Sequence, residues 1–254
     1  MATSITFSIQ KGGSAKTTTS GIAAYILSHE YHYRVLAVDL DSQGNLTELL
    51  TQQDIYNFHQ QTVLEALKLQ DARPFIHPIS ERLSLLTAED FLATFPRWLY
   101  DEYKGNKSLV LRKTLQDVQN EFDFIIIDTP PALGDHTINA LAASDLVVAM
   151  FETSKFCYSA LSRFLETVSH VQDKVNPNLK VAGILRTMID TRRTDNKALL
   201  ELVEEEYKEL VFQTVINRQA AVGRLSIAGF NHNPELNSAL SQFRPFIKEL
   251  LIHV

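Results

Sequence analysis

The sequence predicts an α/β fold, with a mostly parallel sheet flanked by helices on both faces and a single domain over residues 1–254. Three observations carry this. Short continuous apolar runs recur along the chain, and such runs mark strands buried on both faces. They alternate with stretches of helical apolar spacing, the pattern of βαβ units. The first run ends in a turn rich in glycine and lysine that opens a helix.

Taken in order, Ser4 to Ile9 reads as a buried strand. Lys16 to Glu30 has helical spacing, with Ile22, Ala23, Ile26 and Leu27 on one face. Val35 to Val38 is a second strand, closed by Asp39, and Leu83 to Leu86 is a weaker one. Phe122 to Ile127 is the clearest strand, closed by Asp128-Thr129-Pro130-Pro131. Leu146 to Phe151, Val181 to Leu185 and Val211 to Ile216 complete the set. Helical patterns cover 108–120, 137–144, 156–175, 194–208 and 235–252. In such folds ligands bind beyond the carboxyl ends of the strands, which places the chemistry after Ile9, Val38, Ile127 and Leu185.

Composition narrows the function classes. The net charge is −6, so any nucleic-acid contact must come from a local basic patch rather than bulk charge. No run approaches the roughly 20 apolar residues of a membrane span, and the N-terminus lacks the basic region and apolar core of a secretory signal. A cytoplasmic protein is expected. The one cysteine, Cys157, excludes an internal disulfide and a cysteine-rich metal site.

The segment Gln10-Lys11-Gly12-Gly13-Ser14-Ala15-Lys16-Thr17-Thr18-Thr19 follows a strand and opens a helix, the context of a phosphate-binding loop. Backbone N–H groups of Gly12, Gly13, Ser14, Ala15, Lys16, Thr17 and Thr18 would face an anion, aided by the helix dipole. Gly12 and Gly13 permit positive φ and close backbone approach. Lys16 would reach the β- and γ-phosphates of ATP, and the Thr17 hydroxyl would coordinate Mg²⁺. The common pattern G-x-x-x-x-G-K-[ST] is not met. Gln10 and Ala15 stand where its two glycines would be.

Lys11-Gly12-Gly13-x-x-Lys16-Thr17 resembles the deviant Walker A loop of the ParA/MinD family of dimeric P-loop ATPases, usually KGGxGKT. The resemblance implies that Lys11, the signature lysine, reaches across a nucleotide-sandwich homodimer to the partner's phosphates, as an arginine finger does. Ala15 departs from the family's glycine. If that position needs left-handed dihedrals, binding or hydrolysis suffers; with ordinary helical dihedrals, alanine is harmless.

Asp39 and Asp41 follow the second strand. At i, i+2 on an extended segment they would point the same way, toward metal and attacking water; the alternative is a polar turn capping the next helix. Asp39-x-Asp41-Ser42-Gln43-Gly44-Asn45 resembles the switch I segment of ParA-type partition ATPases. The resemblance assigns hydrolysis to Asp41 beside Lys11 and Lys16, and leaves Asp39 as a metal-site or structural partner. Asp128, delivered by a rigid apolar strand, has the Walker B arrangement. With Thr17 and Asp39 it forms the expected metal set, and Asp128-Thr129-Pro130-Pro131 resembles the family's switch II.

The resemblance also places Thr187, Asn217 and Arg218 near the nucleotide base; Asn217 stands where many relatives have proline. It implies non-specific DNA binding through Arg192, Arg193, Arg218 and Arg224, doubled in the ATP dimer. A ParA/Soj-like DNA-partition ATPase is therefore expected, nucleoid-associated and stimulated by a ParB-like centromere-binding partner, with no N-terminal helix-turn-helix domain. Segment 52–107 matches the family less well. Two rivals stand beside this reading: a nucleotide-binding switch whose hydrolysis Ala15 has blunted, and a MinD-like membrane ATPase. The C-terminal run 243–252 offers only Arg244 and Lys248 against Glu249, a weak basic face for membrane binding. A packed terminal helix is expected there.

Overall fold

A computed structural model describes residues 1–189 and 194–254. The strands are β1 (Thr3–Ser8), β2 (Val35–Asp39), β3 (Ile76–Pro78), β4 (Leu83–Leu86), β5 (Phe124–Asp128), β6 (Leu146–Glu152), β7 (Lys180–Ile189) and β8 (Val211–Asn217). They form an eight-stranded sheet in the order β3-β4-β2-β5-β1-β6-β7-β8. All neighbours are parallel except the edge pair β3–β4. The direction of winding reverses at β1. The chain first goes out to β2 on one side, and β6 to β8 are added on the other. A crevice at the carboxyl ends of the strands follows from that reversal.

The strands read as continuous apolar runs because both faces of the sheet are covered. Val35 and Ala37 of β2 and Phe124 and Ile126 of β5 face one core, with α1 (Lys16–Tyr25), α2 (Asn45–Thr51), α7 (Lys155–Lys174) and the C-terminal helices. Leu36, Val38, Ile125 and Ile127 face the other, with α3 (Val63–Leu69), α4 (Phe95–Asp101), α5 (Val110–Leu115) and α6 (Asp135–Ala142). The remaining helices are α8 (Thr194–Tyr207), α9 (Ala220–Ala228), α10 (Leu236–Leu240) and α11 (Phe243–Leu250).

Several boundaries differ from the sequence reading. The helix expected over 16–30 is α-helical to Tyr25 and continues as a π turn over Ile26–Glu30. The single helix expected over 235–252 is broken into α10 and α11. Pro245 lies in the first turn of α11, where its missing N–H costs nothing, but its ring would clash with the Ser241 carbonyl of a continuous helix. The short helices α2, α3, α4 and α9 carry too few turns to show a clear period. The tail is packed as expected: Phe243, Phe246, Ile247 and Leu250 are at most 1% exposed. Glu249 on the same helix accepts the backbone N–H groups of Gln213 and Thr214 at 2.8 and 2.9 Å. It thereby blocks part of the open edge of β8. Among the described residues, no helix is long and apolar enough to cross a membrane.

Candidate nucleotide site

β1 delivers the loop 9–15 into the crevice. Gly13 has φ +78°, and a β-carbon on Gly12 or Gly13 would meet nothing within 4 Å, so the glycine backbone lines an open cradle. The loop ends at Ala15, the N-cap of α1, in the left-handed region with φ 60° and ψ 25°. No side chain caps α1, and its first turn carries no acid. The N–H groups at that terminus are left without a side-chain partner, which suits an anion.

The loop is held from several sides. The Lys16 ammonium donates to the Lys11 carbonyl at 2.8 Å, and the Ser14 hydroxyl donates to the same oxygen at 3.3 Å. The buried Thr187 hydroxyl donates to the Ser14 carbonyl at 3.0 Å. Lys16 is 7% exposed. Burial pulls its pKa below the ordinary lysine value, while Asp128 and Asp41 pull it back. Lys11 is ion-paired with Glu152 of the same chain at 3.2 Å.

Asp39 and Asp128 end neighbouring strands in direct register, and both are fully buried. Burial pushes the Asp39 carboxyl up to about 7, and the Asp128 charge beside it pushes the same way. Burial raises Asp128 to about 6, against hydrogen bonds from Thr17 and Ser20 and the Lys16 charge. The Ser20 hydroxyl donates to Asp128 Oδ1 at 3.0 Å, whereas Asp128 Oδ2 is buried with no partner.

The two switch aspartates do not point the same way. β2 ends at Asp39, so its two-residue alternation stops there. Asp39 turns inward. Its Oδ2 accepts the Thr47 N–H at 2.9 Å and the Thr47 hydroxyl at 2.8 Å, and its Oδ1 accepts the Asp41 N–H at 3.1 Å. It satisfies the first turn of α2 in the way a capping residue does. Asp41 lies in the turn beyond and lines a cavity of about 530 Å³ with the loop 12–17 and Pro130-Pro131.

A second cavity of about 740 Å³ shares Gly13, Ala15 and Thr17 with the first and extends between α2 and α9. Leu49, Met188, Val222 and Leu225 give it apolar walls, and Arg218 lies on its rim. A flat heterocycle attached to phosphates on the loop would fit there. Of the residues expected near the base, Arg218 lines this cavity. Thr187 is buried behind the loop, and the Asn217 N–H is taken by Gln242 at 2.7 Å. Arg224 is exposed and paired with Glu235 at 2.6 Å. Arg192 and Arg193 lie outside the described residues.

Sequence reasoning missed three groups at this site. Ser20 sits one helical turn after Lys16, on the same face, and that spacing could have found it. Glu152 closes an apolar strand just as Asp128 does, so the signal that found one acid was present for the other. Met188, at the left-handed φ of 57°, follows Thr187 in the strand end that the resemblance places near the base, but nothing in its residue type marked it as a wall of the cavity.

Comparison with known proteins agrees with this architecture. A family model described as an AAA domain matches residues 2–181. The chromosome partitioning protein ParA of Myxococcus xanthus is 35% identical over 218 residues, 84% of this chain and 75% of that protein. The sporulation initiation inhibitor protein Soj of Bacillus subtilis is 34% identical over 234 residues, 89% of this chain and 87% of that one. A Mycobacterium smegmatis structure named cobyrinic acid a,c-diamide synthase, with bound ADP and magnesium, has a TM-score of 0.84 at 31% identity. That match covers 100% of this chain and 95% of the other. A putative plasmid partition protein of Borrelia burgdorferi shares the fold, with a TM-score of 0.80 at 24% identity, over 100% of this chain and 99% of that one. With the loop, the paired strand-end carboxylates and these relatives together, the chain belongs to the ParA/Soj group of P-loop ATPases.

Proposed function

We propose that this chain is a DNA-partition ATPase that binds Mg-ATP, dimerises around it, binds DNA without sequence specificity and hydrolyses ATP when a ParB-like partner engages it. One observation carries the reading. The uncapped, glycine-lined terminus of α1 lies against the buried Asp128 carboxylate and opens into a cavity whose walls suit a base. Relatives named for chromosome partitioning match most of this chain. A nucleoid-associated location follows from the same reading.

The donor set fits magnesium. Asp128 Oδ2 is an orphaned buried oxygen, and the Thr17 hydroxyl is near enough to lower the pKa of the same carboxylate. Among the described residues, no group of three or more His, Cys, Asp or Glu forms a metal cage. Such a site suits Mg²⁺, which binds through few protein oxygens and the substrate phosphates. Thr17 and Asp128 would hold the ion directly or through water. Asp39, with both oxygens occupied by Thr47 and Asp41, orients the switch turn from behind. Bound magnesium would neutralise charge developing on the phosphates.

The chain's own groups would do the rest. The α1 terminus binds the phosphates through backbone N–H groups, with Gly12 and Gly13 allowing close approach. Lys16 moves its ammonium from the Lys11 carbonyl to the phosphates. Asp41, on the cavity wall, orients the attacking water, and Lys11 supplies charge across the dimer interface. Arg218 contributes a DNA-phosphate contact, with Arg192, Arg193 and Arg224 as further candidates.

Ala15 does stand in the left-handed region, the case in which the sequence reading expects a cost. Because the loop holds that conformation with alanine in place, we assign the cost to stability first, and the switch reading without hydrolysis stands as the second reading. A membrane-bound variant is disfavoured by the buried apolar face of α11. The test is Mg-ATP binding by calorimetry, followed by ATP-dependent DNA binding across a salt series. Binding that requires ATP, weakens linearly in log salt and falls with Arg218→Ala supports the reading. ATP binding with no dimer and no DNA affinity refutes the partition role.

A further inference from the structure

We propose that Glu152 is a positioning residue for Lys11: it holds the ammonium within its own chain, and phosphates must draw Lys11 away from it before that lysine can serve them. The proposal rests on the ATP reading above and adds a residue which that reading does not use.

The carboxylate is built into place. Glu152 ends β6, opposite Thr187 in the β6–β7 register, and Thr187 is the residue that holds the Ser14 carbonyl. Glu152 Oε1 accepts the Ser154 hydroxyl at 3.1 Å. Ser154 in turn caps α7 by accepting the Cys157 N–H at 3.1 Å. A strand end and a helix cap therefore fix where this negative charge stands.

Lys11 meets it with a pinned backbone and a free-swinging stem. Its N–H donates to the Ile9 carbonyl at 2.8 Å, and its own carbonyl accepts Lys16 and Ser14. Only the side chain is left to move, and it ends 3.2 Å from Glu152 Oε1. Lys16, by contrast, spends its ammonium on a backbone carbonyl, which sets up no competing ion pair. The side chains of Lys11 and Glu152 are 30% and 19% exposed. A pair that wet is a weak one, worth no more than about fivefold in an equilibrium. It is strong enough to set the resting direction of Lys11, and weak enough to yield to a triphosphate. Conversion of the nucleotide to a less charged product would return Lys11 to Glu152, so the pair ties the availability of Lys11 to phosphate charge.

The experiment is a double-mutant cycle on the full chain with Glu152→Gln and Lys11→Ala, reading the Mg-ATP dissociation constant by calorimetry. Glu152→Gln is expected to tighten binding about two- to fivefold in the native background, and to change nothing once Lys11 is alanine. An equal gain in both backgrounds would mean that Glu152 simply repels phosphate, and would overturn the proposal, as would no gain at all. A second readout needs no nucleotide: the rate of Lys11 acetylation by a small N-hydroxysuccinimide ester, followed by mass spectrometry. That rate is expected to rise severalfold in Glu152→Gln, and an unchanged rate overturns the pairing. Failure of the native chain to bind ATP would refute the ATPase reading, while the acetylation rate still judges the pair.

Discussion

Replacing Ala15 by glycine tests the account of the phosphate loop most directly. Ala15 sits at φ 60° and ψ 25° as the N-cap of α1, where a β-carbon crowds the backbone at a cost of about 1–2 kcal/mol. Glycine removes that cost and is also the better N-cap. Against this, glycine loosens the unfolded chain, which returns about 0.4–1 kcal/mol. The balance favours the glycine variant by roughly 0.5–1 kcal/mol, a rise in Tm of about 1–4 °C for a chain of this size. The assay is thermal unfolding without nucleotide, beside Mg-ATP affinity. Because the loop already holds its conformation, affinity should change by no more than about threefold. Ala15→Val is the opposite control: a β-branched residue in that region should lose stability and binding together. A glycine variant that is less stable than the native chain would refute the strain argument. One that gains ATP affinity by orders of magnitude would show that the methyl group obstructs the ligand rather than straining the loop.

Other outcomes follow from the same geometry. The Asp39 carboxyl is raised from 3.8 to about 7, by burial first and then by Asp128. The fold therefore favours its protonated form. That contribution is complete below about pH 3.8 and is lost as pH rises through about 7. Asp39→Asn has no such titration, so with nucleotide and metal absent its stability relative to the native chain should improve from pH 5 to pH 8; parallel urea profiles would contradict this. Thr187→Val removes the hydroxyl that holds the Ser14 carbonyl at 3.0 Å. It should cost about 1 kcal/mol in denaturant unfolding and weaken ATP binding severalfold, and unchanged binding would mean that the contact does not shape the loop. Phe246 is fully buried and packs edge-on against Phe7 and Phe212. Phe246→Ala should cost about 3–5 kcal/mol, read by urea midpoint; a surface-like loss below about 0.5 kcal/mol would contradict the packed tail.

The sequence by itself determined seven of the eight strands and the place of the chemistry, but not the short antiparallel edge strand β3, whose three residues are too few to show a pattern. Buried parallel strands must be apolar on both faces, so runs such as Phe124-Ile125-Ile126-Ile127 announce themselves without reference to anything distant. The acids and glycines that follow them then fall at the carboxyl ends by chain connectivity alone. The tertiary structure decided what each polar group does there. Whether Asp39 faced a metal or a helix depended on where β2 stopped and on Thr47 approaching from α2, eight residues on. The dihedrals of Ala15 were fixed by β1, α1 and the Thr187 hydroxyl of β7 converging on one loop. The pairing of Lys11 with Glu152 joins two strand ends far apart in sequence and adjacent in the sheet. Periodicity reports the faces that a residue shares with its near neighbours. The partner of a buried charge is set by which strands lie side by side, and only the folded chain brings those together.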